Sequence, residues 1–187
     1  WTRLFFDKLG ALTAATLYAY APYRFVDIYI RGSVGEVWAL CWFPAYLWAI
    51  TLFIQKKEIR YVALAGALFA MTIFSHNILA VMFAAFGFIY LIFLLWLYKA
   101  DKKRIVLSFS SLVLGVMLSA IFWLPALVEK EHVIGLQIYP IFFNNEHFAE
   151  IYQLMIPSWG TGFSAGDLTN TMSLQIGVVN LIAVIIG

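Results

Sequence analysis

Apolar residues run through this chain in long blocks, separated by short clusters of charge. The blocks are Leu9 to Tyr23, Val37 to Ile54, Tyr61 to Tyr98, Ile105 to Val128 and Leu168 to Gly187. At about 1.5 Å per helical residue, several are long enough to cross roughly 30 Å of hydrocarbon. The third holds 38 residues. As one helix it would reach about 57 Å, nearly twice the bilayer core, so it must turn back. The only polar cluster inside it is Ser75-His76-Asn77, and splitting the block there predicts six spans. The fold class expected is therefore all-α, a polytopic transmembrane helix bundle that makes up a single domain over residues 1–187.

Composition sharpens this reading. Of 187 residues, 64% are hydrophobic and 12% charged, which excludes a disordered chain, a collagen and a disulfide scaffold. The single cysteine, Cys41, has no partner for an intrachain disulfide. A net charge of +2 leaves no nucleic-acid footprint. The chain opens at Trp1, has its first methionine at Met71 and stops within an apolar block, so it is expected to be a piece of a longer protein. Nothing at its start resembles a signal peptide.

Charge distribution assigns the sides. With loops 55–60 and 99–104 on one face, that face collects nine of the twelve Lys and Arg residues. By the positive-inside rule it is the cytoplasmic face of a multi-pass protein in the cytoplasmic membrane. The opposite face then carries three segments, residues 22–36, 75–77 and 125–170. The last is expected to form short interfacial helices, around Ile141 to Phe143 and from Phe148 through Ile151, Tyr152, Leu154 and Met155, followed by a Gly-rich loop from Pro157 to Gly166.

The densest polar set lies in the first outer segment. If Pro22 opens a helix, Arg24, Asp27 and Arg31 share a face at i, i+3 and i+7, and Asp27 can pair with either arginine. Two guanidinium groups around one acid suit bidentate recognition of a phosphate or pyrophosphate on a lipid. The competing reading is a snorkelling Arg24 and a plain interfacial ion pair. Ser33-x-x-Glu36 reads as a capping box for the next span. At the second outward turn, Asn77 is expected to cap the following helix and Ser75 to satisfy the carbonyls of the preceding one. His76 has no such local duty, which makes it a candidate for contacting substrate or moving a proton. Glu129, Glu131, His132, Glu146, His147 and Glu150 are the acid and histidine clusters of the outer loop, and they read as solvated rather than as a metal site. Pro125 is expected to end a span.

The run Tyr20-Ala-Pro-Tyr-Arg24-x-x-Asp27-x-Tyr29-x-Arg31-Gly-x-x-x-Glu36, with His76-Asn77 at the next outward turn, resembles a family of large prokaryotic membrane proteins. These carry the label 6-pyruvoyl-tetrahydropterin synthase related membrane domain, and they resemble the GT-C superfamily of glycosyltransferases. The resemblance is densest over residues 1–128. It implies a GT-C-like enzyme that transfers a sugar from a polyprenyl-phosphate donor to an acceptor outside the cytoplasmic membrane. Membrane lipid and the polyprenyl-phosphate sugar are then its partners. The residues it marks are Asp27 and His76 as catalytic, and Arg24, Arg31, Glu36 and Asn77 as substrate-binding. Such enzymes usually carry an acidic motif in the first outer loop, whereas the acid-x-acid pair here, Glu129-x-Glu131, lies late in the chain. No metal ligands are assigned, and a divalent cation stays open as a cofactor. A transporter or flippase of lipid-linked sugars and a non-catalytic assembly subunit are the rival expectations.

Overall fold

The computed structural model describes residues 1–132, 150–162 and 172–186; among these, helices dominate and no β-strand is present. Two compact units divide the chain: Trp1 with Gly35–Glu129, and Thr2–Val34 with Lys130–Gly187.

In the first unit, α3 (Val34–Lys56), α4 (Arg60–Ser75), α5 (Asn77–Leu97), α6 (Lys102–Leu118) and α7 (Ala120–Val128) follow one another through short turns. The long apolar block does break at His76, whose extended backbone (φ −160°, ψ 109°) separates α4 from α5. α3 supplies most of the core: Phe43, Tyr46, Leu47, Ile50, Phe53 and Ile54 pack with residues of α4 and α5. Between α4 and α6 the backbones approach closely because glycines face the contact. A Cβ at Gly66 would stand 2.7 Å from the Leu114 side chain, and one at Gly115 would stand 2.7 Å from that of Phe69. Ser111, Gly115 and Ser119 recur at four-residue spacing. Such small residues let helices associate by van der Waals contact where lipid offers no hydrophobic drive.

α6 and α7 meet at a 61° bend. Ser119 Oγ donates to the carbonyls of Gly115 at 2.9 Å and Val116 at 3.0 Å, and Trp123 Nε1 also donates to Val116 at 2.9 Å. Carbonyls exposed at the bend thus find side-chain donors. Pro125 lies inside α7. The chain breaks at Ser119, and three helical residues still follow the proline.

Among the described residues two helices, α3 and α5, are long and apolar enough to cross a membrane, and three spans result if the bent α6–α7 pair counts as one. α4, with 16 residues, reaches about 24 Å. Gln55 Nε2 donates to Tyr98 Oη at 2.9 Å, so the loops carrying Lys56, Lys57 and Lys99 lie at one end of this unit. His76 lies at the other.

In the second unit, α1 (Lys8–Ala19) starts under the Asp7 carboxylate, which accepts from Gly10 N at 2.8 Å. It has only 12 residues. Pro22 holds Ala21 extended (ψ 134°) and opens α2 (Pro22–Phe25), as expected. α2 runs directly into a π-helix, Val26–Arg31, which ends at Gly32 in the left-handed conformation (φ 60°), a geometry that favours glycine. Later in the chain, α8 (Ile151–Met155) starts with a capping box between Glu150 and Gln153, and α9 spans Val178–Ile186. The expected interfacial helix at Ile141 to Phe143, together with Glu146, His147, Phe148 and the loop from Phe163, lies outside the described residues.

Candidate functional site

The six candidate residues divide between the units. Arg24, Asp27 and Arg31 belong to the second, while Glu36, His76 and Asn77 belong to the first.

In the second unit the π-helix puts Asp27 and Arg31 side by side. Asp27 is wholly buried, with none of its surface exposed. Arg31 Nη1 donates to Asp27 Oδ1 at 3.0 Å and to Tyr23 Oη at 2.7 Å. About a third of the Arg31 side chain, 33%, stays exposed. A buried carboxylate and a phenol thus anchor the guanidinium from behind and leave part of it facing outward. A π-turn inside a helix is rare and often accompanies a functional site. Arg24 lies 4.9 Å over the Tyr18 ring, within reach of the ring's negative face. The pairing with Arg31 that the spacing of Asp27 allows is an ion pair in the fold. A cavity of about 240 Å³ opens beside Arg31, bordered also by Thr161, Gly162, Ile30 and Met172.

In the first unit Glu36 is in the first turn of α3 and almost fully buried, at 3% exposure. Its Oε1 lies 3.6 Å from His76 Nε2. His76 Nδ1 accepts the backbone N–H of Leu79 at 3.2 Å, so Nδ1 carries no proton and the neutral ring holds its proton on Nε2, toward the carboxylate. The capping duty expected of Asn77 therefore falls on His76. The N-cap position needs extended backbone, which His76 has. Asn77 is instead the first helical residue, its Oδ1 accepting from Ile78 N at 2.9 Å. Ser75 does what was expected and donates to the Met71 carbonyl at 2.7 Å.

Gly35 sets this pair's spacing. A Cβ there would overlap the Ser75 carbonyl oxygen and approach His76 Cδ2 to 3.7 Å. Only a residue without a side chain lets the start of α3 come this close to the α4–α5 turn.

Elsewhere, Glu129 and Glu131 are exposed, and Glu150 is occupied in capping α8. Among the described residues no group of three or more His, Cys, Asp or Glu side chains is arranged to hold a metal ion. Sequence reading passed over Tyr18, Tyr23, Gly35 and Thr161. Tyr23 was in the quoted motif, but a tyrosine at an interface reads first as an aromatic anchor. Gly35 adjoins Glu36, and only the close approach reveals its use.

No curated protein and no solved structure matches the chain. A family model described as 6-pyruvoyl-tetrahydropterin synthase related domain, membrane protein, matches residues 1–172, and the chain belongs to that membrane-protein family.

Proposed function

We propose that this protein is an integral membrane glycosyltransferase that moves a sugar from a polyprenyl-phosphate donor to an acceptor hydroxyl on the extracytoplasmic side. The observation that carries the reading is Arg31, anchored by the buried Asp27 carboxylate and the Tyr23 hydroxyl while keeping a third of its side chain exposed. A guanidinium fixed in this way is preorganised for the charge that develops on a departing phosphate. Asp27 acts from behind, through Arg31, and Arg24 adds a second positive charge in the same unit. In the reaction the bond from the sugar's anomeric carbon to the phosphate oxygen breaks, with its electrons leaving on the phosphate. The acceptor oxygen forms the new bond, and its proton passes to the departing phosphate or to water. His76 and Asn77 are the further residues that this reading assigns to donor or acceptor. The membrane arrangement that goes with this reading is the six-span one, with the basic loops 55–60 and 99–104 in the cytoplasm.

The test is transfer of radiolabelled sugar from a polyprenyl-phosphate donor by the protein in nanodiscs. Arg31→Gln is the informative variant, because glutamine still donates to the buried Asp27 carboxylate while removing the charge. The reading predicts a loss of at least a hundredfold in transfer, and the same loss in Asp27→Asn, Arg31→Gln, which leaves no buried charge unpaired and so separates lost charge from lost stability. Unchanged transfer in Arg31→Gln removes Arg31 from the mechanism. Redistribution of label across the membrane without product favours a transporter instead.

A further inference from the structure

We propose that the cavity beside Arg31 is a pocket for a single phosphate group, and that Thr161 and Gly162, far along the chain, form its second wall. The inference rests on the reading that Arg31 meets phosphate, and it adds the residues and the size of the site. Arg31, Ile30, Thr161, Gly162 and Met172 border the cavity and belong to one compact unit. The Met172 N–H donates to the Gly162 carbonyl at 3.1 Å, tying together the two stretches that face Arg31.

The lining has the chemistry of an anion site. Among the described residues its one charged group is the Arg31 guanidinium, held in place by Asp27 and Tyr23. Thr161 brings a neutral hydroxyl donor. Ile30 and Met172 supply apolar walls, which lower the local dielectric on that side and strengthen the attraction between the fixed cation and an anion. No carboxylate borders the cavity among the described residues.

Size limits the ligand. About 240 Å³ falls below the roughly 300–1,000 Å³ of sites that swallow a drug-sized molecule. It suits a phosphate and the first atoms esterified to it, with a sugar or a lipid tail lying outside. The shared chemistry is a phosphate group, whether from a lipid headgroup or free in solution.

The experiment measures binding to the purified protein of two probes, a long-chain polyprenyl monophosphate in mixed detergent micelles and inorganic phosphate in buffer. Thr161→Val, Gly162→Leu and Arg31→Gln are compared with the unaltered chain, and thermal melting confirms that each variant folds. Losing the Thr161 hydroxyl should weaken binding roughly three- to tenfold, the usual effect of one hydrogen bond. Filling the cavity through Gly162→Leu should weaken it at least tenfold. If only the prenyl phosphate shows these losses, the pocket takes a lipid headgroup, and if inorganic phosphate shows them equally, it takes the free anion. Binding that falls in Arg31→Gln but survives both wall variants overturns the pocket and leaves the Arg31 reading standing. Binding untouched by all three variants overturns both.

Discussion

Gly35 lies so close to the Ser75 carbonyl that no side chain fits between them. This contact, between the first turn of α3 and the end of α4, brings the buried Glu36 carboxylate within 3.6 Å of His76 Nε2. Relief would need movement of backbone rather than of a flexible side-chain tip.

Gly35→Ala is therefore expected to push α3 away from the α4–α5 turn and to cost about 1–3 kcal/mol, as overpacking does, with Gly35→Val costing more. Transfer activity should fall with it. Reversible unfolding in mixed detergent and the transfer assay check both, and an alanine variant with full stability and activity would refute the spacing role.

His76 combines a cap and a contact, and the two separate by substitution. His76→Ala should lose about 1 kcal/mol by removing the acceptor for Leu79 N–H. His76→Asn restores a good N-cap without an imidazole facing Glu36. Stability is expected to recover in the asparagine variant while transfer does not. Recovery of both would reduce His76 to a cap.

Asp27→Asn leaves Arg31 without its buried counter-charge. Breaking a buried pair from one side costs roughly 3–5 kcal/mol. The lower end is expected here because a third of Arg31 meets solvent. Thermal melts of Asp27→Asn beside Asp27→Asn, Arg31→Gln measure it, and the double variant should be the more stable.

Helix packing in the first unit depends on Gly66 and Gly115. Gly115→Leu would drive a branched side chain into Phe69 and the Gly66 carbonyl, and a loss of about 1–3 kcal/mol or more is expected. An unfolding titration in denaturing detergent reads it directly.

Asp101 offers a test by pH outside the spans. Its carboxylate accepts the backbone N–H of Arg104 at 3.0 Å and the Arg104 side chain at 3.2 Å, and these bonds, the backbone one first, hold its pKa below the ordinary 3.8. Because the folded value is the lower one, the stabilisation is full above pH 3.8 and fades as pH falls through the depressed folded value. Amide exchange in the first turn of α6 should accelerate over that acid range. Asp101→Asn, which keeps a cap but does not titrate, should flatten the response.

Much of this organisation is legible in the sequence. A 38-residue apolar block exceeds any single span, so the break at Ser75-His76-Asn77 follows from length and polarity. Pro22 predicts the start of α2, and the spacing of Asp27 and Arg31 predicts their pairing. The spans are harder to read, because hydropathy counts residues that are not helical. Tyr20 to Tyr23 belong to an apolar block, yet Ala21 is held extended by Pro22 and α1 ends at Ala19. The bend at Ser119 is likewise hidden, since serine is compatible with a helix and becomes a hinge only when it takes up the carbonyls around it. His76 as the cap and Tyr23 as a brace depend on backbone geometry and on proximity that side-chain type does not encode. The Thr161 wall joins Arg31 through chain folding alone.

The central claim is that Arg31 meets a lipid-linked phosphate, and native mass spectrometry of the protein in mild detergent tests it most directly. Spectra of the unaltered chain should show a co-purifying polyprenyl phosphate that is missing from an Arg24→Gln, Arg31→Gln variant shown by thermal melting to be folded. Retention of that lipid by the variant, or ordinary phospholipids alone in both samples, would contradict the account.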